Sequence, residues 1–146
     1  MNHKVFKFLL NVYPPYWATG ISVLKVAPDF REVIVQMKMR CYNRNYVNTH
    51  FGGSLYAMTD PFYMLMLMQI LGNGYVVWDK SATIDFLKPG RGTVTARFLI
   101  DEDRLLNVLK NTDQGQKYTP IFDVDIVDEQ GNTVARVSKT LYIRKK

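Results

Sequence analysis

Cys41 is the only cysteine in the chain, and His3 and His50 are the only histidines. A lone thiol excludes an internal disulfide framework and fits a reducing compartment. Two distant histidines and one cysteine do not make a metal-ligand set, so no metal is expected. Long apolar runs are also missing. The longest, Pro61 to Leu71, has eleven residues, about half of the roughly 20 that a membrane span requires. At the start, lysines precede an apolar stretch of only Phe8 to Leu10 before Asn11 interrupts it. No small-residue cleavage site follows, which argues against a secretory signal. There is no internal repeat, low-complexity stretch or linker. These absences point to a soluble, unprocessed, cytoplasmic protein of one domain, residues 1–146, without a membrane role.

The size suits that reading. A chain of 146 residues buries roughly two-thirds of its unfolded surface and needs no staple to fold. Its 47% hydrophobic and 22% charged residues are an ordinary globular balance. The net charge is +6, but the nineteen basic residues are spread along the chain, with Arg144 to Lys146 as the densest group. No basic helix or nucleic-acid motif accompanies them, so nucleic acid is not expected as a partner. A basic surface suits small anionic molecules equally well.

Residues 3 to 12 read as a short amphipathic helix stopped by Pro14 and Pro15. Two strand-like runs follow, Gly20 to Val26 and Phe30 to Cys41. In the second, Val33, Val35, Met37, Met39 and Cys41 share one face. Tyr42 to Asn48 is a polar loop. Ser54 to Leu71 is too long for a strand and apolar on all sides, which predicts a buried central helix ended by Gly72 and Gly74. The remainder is mostly strand. Ala82, Ile84 and Phe86 face one way, as do Val94, Ala96, Phe98 and Ile100, then Phe122, Val124 and Ile126, then Val137, Leu141 and Ile143. A helix over 102–110 with Asp101 as N-cap, and a turn over 129–132, separate these runs. The class is α+β, an antiparallel curved sheet wrapped around a long central helix.

The chemistry is concentrated in Asn45 to Asp60. Gly52 and Gly53 at a helix start allow a ligand close to the backbone, and the first N–H groups of a helix suit a developing oxyanion. Gly53 and Asp60 are seven residues apart, roughly 700° of helical rotation, which places them on one face but about 10 Å apart along the axis. One carbonyl cannot touch both. If both act on one bond, the second comes from another subunit across a two-fold axis. Pro61 then kinks the helix beside its only acid, which marks either a site or a helix break that Asp60 caps.

Asn45, Gly52, Gly53 and Asp60 match the motif Asn, five residues, His-Gly-Gly, six residues, Asp or Glu, so the chain resembles the phenylacetyl-CoA-type branch of the hot-dog thioesterase superfamily. The segments Val77 to Ala96 and Ala135 to Lys146 are similar to a bacterial thioesterase-like branch known as a domain of unknown function. The resemblance implies an acyl-CoA hydrolase working as a homodimer or homotetramer, with no cofactor beyond the coenzyme A of its own substrate. Asp60 would be general base or nucleophile, and the Gly52 N–H would polarise the carbonyl from the neighbouring subunit, with Gly53 beside it. Asn45 would hold the water or thioester. Lys88 and Arg91 would meet coenzyme A phosphates, with His50, Phe51 and Met58 in the substrate site. The family's histidine position is Phe51, and His50 lies one residue earlier, about 100° away on a helix. Two alternatives accompany this reading: a non-catalytic acyl-ligand binding protein, and a hot-dog dehydratase or hydratase using His50.

Other residues have plainer readings. The four methionines Met58, Met64, Met66 and Met68 read as core filling more than as an acyl pocket. Lys139 falls on an apolar strand face and is expected to snorkel outward rather than to reach an acidic partner. Cys41 is expected to be buried and inert.

Overall fold

The computed structural model describes residues 1–146. Helix α1 (His3–Val12) is capped by the Asn2 side chain, which accepts from the Lys4 N–H at 2.8 Å. A short helix α2 (Pro14–Trp17) follows, then strands β1 (Ile21–Val26) and β2 (Glu32–Lys38), and the central helical segment as α3 (Gly52–Ala57) and α4 (Phe62–Leu71). Strands β3 (Tyr75–Phe86) and β4 (Thr93–Leu99), helix α5 (Glu102–Thr112), and strands β5 (Ile121–Val127) and β6 (Thr133–Lys145) complete the chain. The six strands form one antiparallel sheet in the order β1-β2-β4-β5-β6-β3, and the central helical segment packs against its concave face. This is the hot-dog fold. No helix is long and apolar enough to cross a membrane.

The apolar rows read from the sequence build the core. Val33, Val35 and Met37 of β2, Val94, Ala96 and Phe98 of β4, Phe122, Val124 and Ile126 of β5 and Val137, Leu141 and Ile143 of β6 are all buried. Period-2 alternation carries each row to one face of the pleat. An aromatic group ties α4 to the sheet. Phe62 lies 5.0 Å from Phe98, and Tyr63 meets Phe98 and Phe122 edge-on at 5.1 Å. Asp101 caps α5 as its sequence position predicts, accepting from the Arg104 N–H at 2.8 Å.

The central helix departs from expectation. The α-helix gives way to turns over residues 58–61 and restarts at Phe62. Pro61 has no N–H to offer the ladder and disfavours helical geometry at the residue before it. Asp60 does not cap the second half, because α4 has no side-chain cap. Nor is α4 buried all round: Phe62, Tyr63, Met66 and Leu67 are buried, whereas Met68 is exposed. The seven-residue helical geometry linking Gly53 to Asp60 therefore does not apply.

Cys41 is exposed, not buried. Strand β2 ends at Lys38, so the alternation extended to Cys41 in the sequence has no strand to carry it there. The two sheet edges differ. Asn11 of α1 clamps β1, its Oδ1 accepting from the Val23 N–H at 2.7 Å and its Nδ2 donating to the Val23 carbonyl at 3.1 Å. Strand β3, twelve residues long, pairs only with β6, and no segment of the chain pairs with its outer side.

Candidate active site

The break between α3 and α4 leaves Asp60 over the inner face of the sheet, directly above Lys139. Lys139 Nζ donates to Asp60 Oδ1 at 2.6 Å and lies 3.2 Å from the Tyr56 hydroxyl. Its side chain is only 1% exposed, in the same row as Val137 and Leu141. The expectation that Lys139 snorkels outward is thus wrong. An ammonium buried this completely needs a counter-charge, and it has two, since Asp79 Oδ2 lies 2.9 Å away. That approach is poorly angled, leaving the buried Asp79 oxygens without a well-formed hydrogen bond. Burial alone would lower the ammonium's affinity for its proton, but Asp60 and Asp79 outweigh it and raise the Lys139 pKa above its ordinary value. The Asp79 carboxyl is also pushed up, by burial first and by Asp60 besides, against the pull of Lys139.

Asp79 escapes a sequence reading for a definite reason. A register shift falls between Asp79 and Ser81, so Asp79 opposes Leu141 while Ala82 opposes Lys139. The extra residue switches the parity of β3. Val77 and Asp79 share the inner face before the bulge, whereas even-numbered Ala82 and Ile84 take it afterwards. Phe86, assigned to the same row, lies at its open end and is exposed.

Tyr16 of α2 holds the other side of the break, donating its hydroxyl to the Asp60 backbone carbonyl and stacking on Phe62 at 5.6 Å. Burial pushes the Tyr16 phenol well above its ordinary value, with Asp60 adding to the shift. The Asp60 side chain remains 43% exposed. It sits on the wall of a cavity of about 430 Å³ otherwise lined mainly by apolar side chains, including Leu9, Leu10 and Leu65.

Gly52 lies in a different groove, of about 420 Å³, together with Asn45, Thr49, Phe86 and Lys88. Within one protomer the structure does not bring Asp60 and Gly52 into one cavity. Gly52 and Gly53 are the first two residues of α3, whose N–H groups have no intrahelical acceptor. Phe51 is the N-cap and is exposed; its ring lies over Gly53, 2.6 Å from where a Cβ would stand.

The remaining sequence candidates have structural positions. Asn45 Oδ1 accepts from the Val47 and Thr49 N–H groups at 3.1 and 2.9 Å, and its Nδ2 donates to Thr49 Oγ1 at 2.8 Å. It shapes the loop leading to Gly52 and lines the Gly52 groove. His50 is buried, its Nε2 donating to the Gly92 carbonyl at 2.8 Å. Because a carbonyl can only accept, the neutral ring must carry its proton on Nε2, and Nδ1 is left buried without a partner. Burial lowers the His50 pKa, opposed by the bond to Gly92. His50 is among the residues lining the Gly52 groove, with its Nε2 held by the Gly92 carbonyl. Met58 is fully buried in the core and lines neither cavity. Lys88 reaches Asn132 Oδ1 at 3.2 Å beside the Gly52 groove, and Arg91 is exposed in the same turn.

Residues 2–143 match the family described as a domain of unknown function, DUF4442. The chain belongs to this family. The DUF4442 chain has no match among the curated proteins. Among solved structures it is similar to a Pseudomonas aeruginosa protein of unknown function named a probable thioesterase. That likeness has 17% identity and a TM-score of 0.85, covering 100% of this chain and 97% of the other. It is also similar to the Escherichia coli PaaI protein of the phenylacetic acid degradation operon, with 22% identity, a TM-score of 0.67 and coverage of 99% and 95%. A mutant form of the phenylacetic acid degradation protein PaaI from Thermus thermophilus shares 27% identity at a TM-score of 0.63, with coverage of 89% and 98%. These likenesses agree on the hot-dog fold.

Proposed function

We propose that this DUF4442 protein hydrolyses an acyl thioester, with coenzyme A as the carrier, in a site completed across a homodimer. The observation that carries the reading is the Asp60 carboxylate. It is the one acid of the central segment, fixed by a buried lysine, partly open to an apolar cavity and matched to the acidic position of the family motif. Several of the structural relatives are themselves named thioesterases, which supports the same class.

In this mechanism Asp60 takes a proton from water as the water oxygen attacks the thioester carbonyl, or attacks that carbon itself. The developing oxyanion is received by the Gly52 N–H of the second protomer, beside Gly53. The C–S bond then breaks. On the water route this releases the carboxylic acid, and the leaving thiolate takes the proton held by Asp60. On the direct route it leaves a mixed anhydride on Asp60, which water hydrolyses to the acid while the thiolate takes a proton from that water. Thiolate is a good leaving group, so no dedicated general acid is needed. Lys139 acts as a positioning residue: its hydrogen bond fixes one carboxylate oxygen and leaves the other for the reaction. Lys88 and Arg91 lie where basic side chains would meet the carrier's phosphates.

The uncovered edge of β3 supports the dimer. A long unpaired edge strand is a template for another strand, and pairing two copies antiparallel about a two-fold axis satisfies both edges. The test is thiol release from a panel of acyl-CoA substrates by wild type and Asp60→Asn. The proposal expects a loss of at least about a hundredfold, the scale of a missing general base. Equal rates in the two proteins would exclude the role of Asp60. A second reading, tight acyl-ligand binding without turnover, is favoured by Phe51 at the histidine position. It predicts saturable binding of a non-hydrolysable acyl thioether and no thiol release.

A further inference from the structure

We infer that the cavity between the N-terminal helices and the α3–α4 break is the acyl-chain site, and that Leu9 of α1 sets the chain length it accepts. The nature of the ligand's head group rests on the thioesterase reading; affinity for the chain does not. Four observations lead here.

The cavity holds about 430 Å³, within the range of roughly 300–1,000 Å³ typical of small-ligand sites. Two of its polar groups are engaged, Asp60 Oδ1 with Lys139 and the Tyr16 hydroxyl with the Asp60 carbonyl, which leaves the second Asp60 oxygen and the Tyr13 hydroxyl. Along the apolar remainder of the wall a polar ligand would leave its own groups unpaired, whereas a hydrocarbon chain asks for no partner. Asp60 is one of the lining residues and its side chain is 43% exposed, so a chain lying in the cavity can place its carbonyl end at the reacting group. Finally, the outer wall is built by α1 and the residue after it, where Leu9 and Tyr13 are each about half exposed, at 48% and 49%. Apolar side chains left in water at a cavity mouth gain by being covered.

A methylene takes about the ~30 Å³ that a water molecule occupies in the liquid. A chain of roughly ten carbons therefore fills most of the space, and a four-carbon chain leaves most of it empty.

The test is calorimetry on the full-length protein with the decyl and butyl thioethers of coenzyme A, which cannot be hydrolysed, and with free decanoate. The decyl thioether should bind at least about tenfold more tightly than the butyl one. Leu9→Trp, which narrows the mouth at a half-exposed position, should weaken the decyl compound by about tenfold and leave the butyl compound within about twofold. Leu9→Ala, which needs no room, should shift the preference toward a longer chain. Free decanoate sensitive to the same substitutions would show that the chain alone is recognised. A preference for neither length in wild type, or an unchanged decyl-to-butyl ratio in both variants, would overturn the inference. So would failure of the decyl compound to bind because a second copy of the chain fills the cavity. Leu9-dependent decyl binding without thiol release would instead leave the acyl site standing and remove the hydrolase reading.

Discussion

Replacing Lys139 by methionine keeps the bulk of the side chain but removes the one cation between Asp60 and Asp79. Breaking a buried ion pair costs about 3–5 kcal/mol, and the partial exposure of Asp60 reduces that to about 2–3 kcal/mol here. The cost has a pH signature. The Asp79 carboxyl already sits above its ordinary value and takes up a proton early as pH falls. The melting-point loss of Lys139→Met should therefore be larger at about pH 7.5 than at about pH 4.5. An equal loss at both would mean that the carboxylates are not the source of the cost. His50 gives the opposite slope. Its pKa is lowered, so the unfolded chain binds a proton that the folded one refuses. Stability present above the ordinary value of about 6.5 is then lost as pH falls through the folded value. Urea midpoints at about pH 7.5 and about pH 5 should show the His50 part of this fall in wild type and not in His50→Gln, whose amide can still donate to Gly92. At this scale the sequence exposed Asp60 and the glycines, because an acid in an apolar segment and paired glycines at a helix start are local signals. Lys139 and Asp79 were not legible as partners. Their meeting depends on a strand pairing and a bulge that no local pattern announces.

Among the elements, the end of the central segment offers a direct check. Gly72 has φ of 69° and ψ of −166°, a region open essentially to glycine, and no atom lies within 4 Å of where its Cβ would stand. Gly72→Ala should therefore destabilise through backbone strain alone, by about 1–3 kcal/mol. Chemical denaturation measures it; a loss below about 0.5 kcal/mol would show that the turn relaxes freely. The glycine stop was legible from the sequence, as were α1, α5 with its Asp101 cap, and the inward rows of β2, β4, β5 and β6. These share a physical basis: caps and periodicity are set by neighbours in the chain. Two elements resisted that logic. The central helix reads as continuous because the segment is apolar on both sides of Thr59 and Asp60, yet the α-helix gives way to turns over four residues there. Strand β3 changes parity at Lys80, so one alternation pattern cannot describe both of its halves.

For the whole molecule, curvature and topology follow from one-faced strands that must cover an apolar segment, which is why the fold class was accessible from periodicity. The assembly was not accessible in the same way, since an edge strand reads like any other until its neighbours are known. The protomer separates its two chemical features, with Asp60 in one cavity and the Gly52 N–H in another. A site built from both needs two chains, and co-expression of two inactive variants tests that need most directly. Asp60→Asn removes the carboxylate. Gly52→Pro removes only the amide donor: proline is well tolerated at a helix's first position, Phe51 before it is already extended, and the exposed Phe86 ring has room to move aside. In a mixed dimer, intact Asp60 of one chain meets intact Gly52 of the other. Thiol release should return to roughly a quarter of the wild-type rate, since about half of the dimers are mixed and each carries one working site of two. No recovery, with mixed dimers shown to be present, would contradict a site shared between protomers.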